Sequence, residues 1–151
     1  MRRPCKCRPS STGMPPGPTG MHPVPDFMTR LSRLQAVTIV SIRGRASGIG
    51  SELALAADMR FASREKAVLS QFEVGAGCVP GGGPMAYLPR LVGRGRAIEI
   101  LIGADDFNGE LAERYGYVNR ALPDAELMPL SMPWRNASPR SINMPLSRPR
   151  S

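Results

Sequence analysis

Hydrophobic positions recur along the chain with two periods, and their alternation predicts an α/β domain. Phe27, Met28, Leu31 and Leu34 fall on one face of a helix over 25–34. The run 37–42, Val-Thr-Ile-Val-Ser-Ile, is apolar and β-branched and reads as a buried strand. A helical pattern opens near Gly50 and carries Leu53, Leu55, Ala56 and Ala57 as far as Asp58. Met59 to Ala62 then alternates as a second strand, and Ala67, Val68 and Leu69 form a short third. A glycine-rich loop over 71–84 precedes helical patterns at 85–91 and 95–102. Asn108 is placed to cap a helix over 109–115 that Gly116 stops. A strand over 117–122 follows, and Asp124 caps a last helix opening with Ala125, Glu126 and Leu127.

Charge and proline content divide the chain into three parts. Eight of the 20 basic residues lie in 1–23 and 128–151, which hold no acid, so the formal charge of +8 belongs to the ends and the middle is neutral. The same ends hold 11 of the 16 prolines and predict disordered segments, because they bury too little apolar surface to offset ordering entropy. Nucleic-acid binding is not expected: the basic ends lack interleaved aromatic rings, with Trp134 and His22 as their only rings. No apolar run is long enough for a membrane span and no signal-peptide core is visible, so a cytoplasmic location is the default. Three cysteines are too few for a disulfide framework. Cys5 and Cys7, with His22 and a distant Cys78, make no closed zinc site, so no metal is expected and free thiols in a reduced compartment are.

The turn "GRASGIGSELALAAD", Gly44 to Asp58, carries the candidate chemistry. A dinucleotide fingerprint would need a third glycine where Leu53 stands, and a phosphate loop would need Gly-Lys where Ile49 and Gly50 stand. A nucleophile elbow at Ser47 or Ser51 lacks its flanking glycines. What remains is the backbone. A glycine turn into a helix leaves the first N–H groups unpaired at the positive end of the helix dipole, where they stabilise an anion or a developing oxyanion. Glu52 stands in that first turn and Glu73 in the glycine-rich loop. Each has a plain structural reading, Glu52 as an acid stabilising the helix start and Glu73 as a solvated loop acid. Together they would make an acid/base pair for proton transfer beside a carbonyl.

Four blocks in order, "TIVSIRGRASGIGSELALAADMRFAS", "SQFEVGAGCVPGGG", "LPRLVGRGRAIEIL" and "AERYGYVNRALPDAEL", resemble the enoyl-CoA hydratases of the crotonase superfamily over 24–127. The resemblance implies a ββα-spiral fold, incomplete at both ends, and an acyl-CoA thioester substrate that brings its own coenzyme A, with no further cofactor. It implies an oxyanion hole with one N–H from Ile49 in the Gly48-Ile49-Gly50 turn, and places Gly81 of the loop among the substrate-binding positions. Glu52 matches the glutamate that holds or activates water, and Glu73 the one that exchanges a proton with the α-carbon. Trimers or hexamers are implied for a full-length form. Ile49 stands where the family has glycine, and Phe72 where it has proline. Family members are more than twice as long, and their N-terminal half supplies the other oxyanion N–H. A weak or inactive catalyst is therefore expected, with a non-catalytic acyl-CoA-binding or assembly fragment as the alternative.

After Leu127 the helix should continue, yet Pro129 and Pro133 break it. A frame shifted by one base turns the Met-Pro pairs at 128, 132 and 144 into codons that read alanine and permits an amphipathic helix. The segment 128–151 thus reads as a frameshifted tail, consistent with 18 arginines against two lysines in a GC-rich gene.

Overall fold

The structure, a computed structural model, describes residues 15–127. Helix α1 (Pro23–Leu31) starts where His22 accepts the Val24 N–H, and prolines occupy its first positions, where no N–H is needed. Its apolar face is narrower than the pattern predicts: Met28 is buried, whereas Phe27 and Leu34 are exposed. Part of the leader expected to lack order is folded. Gly17 N–H donates to Met21 O and Gly20 N–H to Gly17 O, and Thr19 donates through its N–H and Oγ1 to the buried carboxylate of Asp26.

The strands and helices then follow as β1 (Ile39–Ile42), β2 (Arg45–Ser47), α2 (Ile49–Ala56), β3 (Met59–Ser63) and β4 (Val68–Ser70). After the glycine-rich loop come α3 (Pro84–Val92), α4 (Arg94–Gly103), β5 (Phe107–Asn108), α5 (Gly109–Tyr115) and β6 (Arg120–Leu122). Residues 124–127 are helical, so Asp124 is the first helical residue and not the expected cap, its carboxylate being taken up by Arg43 and Lys66; any continuation, with the frameshift reading, lies outside the described residues. The strands form two three-stranded sheets, β1-β3-β6, all parallel, and β2-β4-β5, in which β4 and β5 are antiparallel. β1 and β2 go to different sheets before α2 leads back to the first at β3, and β3 and β4 repeat the alternation before α3, which is the ββα repeat of a spiral.

The run 37–42 is less enclosed than a buried strand. Val37 is exposed and the strand begins at Ile39, because among the described residues β1 is an edge strand with only β3 beside it. The last strand is also shorter than its pattern, beginning at Arg120; Tyr117 and Val118 are nonetheless buried. Cys78 is disulfide-bonded, contrary to the free thiol expected there.

The core lies around α2 and between the sheets and α3 to α5, with Leu55, Leu69, Leu88, Ile100, Phe107 and Tyr117 all buried. Burying each such side chain contributes about 1.5–3 kcal/mol. Phe61, Leu122 and Leu127 make a second cluster. The buried Arg60 closes the C-terminal end of α2, donating to Ala57 O at 2.8 Å and to Tyr117 O at 3.0 Å.

Candidate active site

The site begins at Gly48, the residue before α2. Its backbone angles, φ 54° and ψ −121°, favour glycine, and its N–H donates to Ser70 O at the end of β4. A β-carbon there would stand 2.6 Å from the Phe72 ring and 2.9 Å from Glu73 Oε1. Glycine is thus what lets the root of the glycine-rich loop lie against the start of the helix. Ile49 and Gly50, the next residues, are exposed, and their N–H groups precede the first i→i−4 bond of the helix, which the Glu52 N–H makes to Gly48 O.

Glu52 sits in that turn with only 2% of its surface exposed. Its Oε1 accepts the Gly82 N–H at 2.9 Å, and a β-carbon at Gly82 would lie 2.7 Å from the Glu52 carboxyl carbon. The loop therefore leaves the sheet carrying Glu73, turns through Cys78, whose N–H donates to Glu73 O at 2.7 Å, and returns to hold Glu52 through Gly82.

Glu73 is half-buried, and its Oε2 is sealed with no hydrogen-bond partner. Burial pushes its pKa above the ordinary value of 4.5; its own backbone N–H opposes that rise, and the negative charge of Glu52 adds to it. The structure thus brings Glu52, Glu73 and Gly48 together. Gly81 stays exposed with open space around it, and the neighbouring Gly82 makes the contact to Glu52. Sequence reasoning missed Gly82, since three successive glycines, 81–83, offer no local sign of which one approaches a carboxylate. It also missed a buried polar cluster in which Gln71 Nε2 donates to Ser51 Oγ at 2.9 Å and to the Tyr117 hydroxyl at 3.3 Å. Ser51 and Tyr117 are themselves hydrogen-bonded. Among the described residues, no three His, Cys, Asp or Glu side chains gather as a metal site, and no helix is long and apolar enough to cross a membrane.

A mixed α/β spiral with a glycine turn opening onto two neighbouring carboxylates defines a crotonase-type fold, and solved structures share it. A Streptomyces avermitilis protein described as an enoyl-CoA hydratase matches 85% of this chain and 45% of its own, with 51% identity and a TM-score of 0.75. An enoyl-CoA hydratase from Bacillus anthracis matches 73% of this chain and 42% of its own, with 33% identity and a TM-score of 0.70. The family model for enoyl-CoA hydratase/isomerase matches residues 19–141, and the chain belongs to that family. A crotonyl-CoA hydratase of Syntrophomonas wolfei is 40% identical over 66% of this chain. A probable enoyl-CoA hydratase of Mycobacterium tuberculosis is 38% identical over 72%. The chain spans 38% of the length of each of these two relatives.

Proposed function

We propose that the chain binds acyl-CoA thioesters and carries the acid/base half of an enoyl-CoA hydratase site. Water adds in syn fashion across the double bond of a 2-enoyl-CoA. Glu52 orients the water and takes its proton as oxygen bonds to the β-carbon, while protonated Glu73 gives a proton to the α-carbon. The Ile49 N–H donates to the thioester oxygen as it gains negative charge, and Gly48, Gly50 and Gly81 keep the backbone open to the substrate. The observation that carries this reading is the glycine-rich loop, which places Glu73 against Gly48 and Gly82 against Glu52.

The catalyst is weak or inactive as it stands. Its relatives are more than twice as long as the matched region, and a hydratase site with one oxyanion donor missing loses about 10²–10³ in rate. That same short span favours the second reading, a fragment that binds acyl-CoA without turnover or assembles with a longer homologue. The trimers or hexamers of the full-length form belong to this proposal.

Titration with crotonyl-CoA by calorimetry, paired with a hydration assay, tests both parts. Saturable binding with turnover at least about 100-fold below a full-length hydratase is expected, with the residue of activity removed by Glu73→Gln. Absence of binding overturns the acyl-CoA reading. Glu73-dependent turnover at a full-length rate overturns the weak-catalyst part.

A further inference from the structure

Ser51, Gln71 and Tyr117 meet in the interior, and all three are fully buried. Their protons can be counted. The two N–H groups of Gln71 Nε2 serve Ser51 Oγ and the Tyr117 hydroxyl, and one hydroxyl donates to the other. Gln71 Oε1 is left without a partner. Turning the amide over would instead strand both N–H groups, so the observed orientation satisfies more of the cluster.

The three residues come from three places. Ser51 directly precedes Glu52 in the first turn of α2, Gln71 stands two residues before Glu73, and Tyr117 lies 66 residues beyond Ser51 in sequence, past α5. Apolar side chains would fill this space with less desolvation, whereas a hydrogen-bonded network sets direction as well as distance between the helix turn and the loop root. Tyr117 also lies within electrostatic reach of Glu73, and its hydroxyl pKa is raised first by burial, with the Glu73 charge adding to the rise and Arg60 opposing it.

We propose that Ser51, Gln71 and Tyr117 form a positioning clamp that locks the first turn of α2 to the root of the glycine-rich loop and so sets how Glu73 stands relative to Glu52. The clamp deepens the two-glutamate reading and rests on it for its catalytic meaning, but it is tested through the geometry of Glu73 itself. The charged and titratable groups facing Glu73 are Glu52 from α2 and Tyr117, with Arg60 beside Tyr117.

The experiment follows the Glu73 carboxyl by ¹³C NMR through a pH titration of the whole chain, with the resonance assigned by its loss in Glu73→Gln. Tyr117→Phe, Ser51→Ala and the double variant are compared, each with a thermal melt. With the clamp released, Glu73 relaxes toward solvent and away from Glu52. Its midpoint falls toward 4.5 as the burial that raises it is relieved. The double variant shifts no further than either single, because the clamp acts as a unit. Variants that melt earlier yet leave the midpoint where it was overturn the proposal, since the cluster then serves stability alone. If Tyr117→Phe fails to fold, Ser51→Ala decides, alanine being well suited to a helix. Failure of the two-glutamate reading registers separately, as hydration indifferent to Glu73→Gln, and does not move the titration.

Discussion

The first turn of α2 and the root of the glycine-rich loop each carry a carboxylate, and they hold it differently. Glu52 is enclosed, and a backbone N–H from Gly82 takes up one of its oxygens at 2.9 Å. Glu73 is half-buried and keeps a sealed oxygen with no donor, and burial favours its protonated form. In the proposed mechanism the first environment belongs to the carboxylate that holds water and the second to the one that carries a proton. Two identical functional groups thus meet different surroundings, one with a backbone donor and one with a sealed oxygen that lacks one.

Closing the gap at Gly82 gives the largest expected change. Gly82→Ala drives a β-carbon into the Glu52 carboxyl group and is expected to cost about 2–3 kcal/mol, read as a fall in urea midpoint. Gly48→Ala is expected to cost about 1–3 kcal/mol through its positive φ and its overlap with Phe72. Phe72→Ala in the same chain recovers the part due to the ring, which separates backbone strain from crowding.

Smaller effects separate the two carboxylate regions by pH. The raised pKa of Glu73 means that its contribution to stability is present below 4.5 and is lost as pH rises through the folded-state value. Glu73→Gln therefore matches the parent in acid and becomes the more stable of the two at neutral pH, measured by denaturant unfolding across pH. Asp124 provides the opposite sign. Hydrogen bonds from Arg43 and then Lys66 hold its carboxyl well below the ordinary 3.8, so its contribution is present above 3.8 and is lost on further acidification. Asp124→Asn flattens that acid limb and leaves the Glu73 dependence intact.

Elements whose reasons are local were legible. Helix α5 has the predicted bounds because Asn108 Oδ1 accepts the Leu111 N–H at 2.8 Å and Gly116 takes φ 80°. Elements that exist through pairing were not. The tripeptide of β2, Arg45 to Ser47, is a strand because it lies in register with β4, with Arg45 opposite Val68, and two-residue β5 depends on Leu69 and Val68 across from it. The hydrophobic run at 37–42 pointed to a strand but not to its edge position, which depends on which strands lie beside it. The same division holds at the site. Glu52, Glu73 and the Gly48 turn stand out by residue type, whereas Gly82 and Tyr117 gain their roles from contacts made 30 and 66 residues away.

By itself the sequence determined the family, the two caps of α5, the glycine turn and the two carboxylates, because each depends on neighbours within a few residues or on an ordered set of blocks. Only the tertiary structure decided which glycine holds Glu52, why Glu73 is poised toward its protonated form, and how Ser51, Gln71 and Tyr117 meet. Burial and hydrogen bonding between distant segments are properties of the folded chain, and they depend on where the backbone brings those segments together.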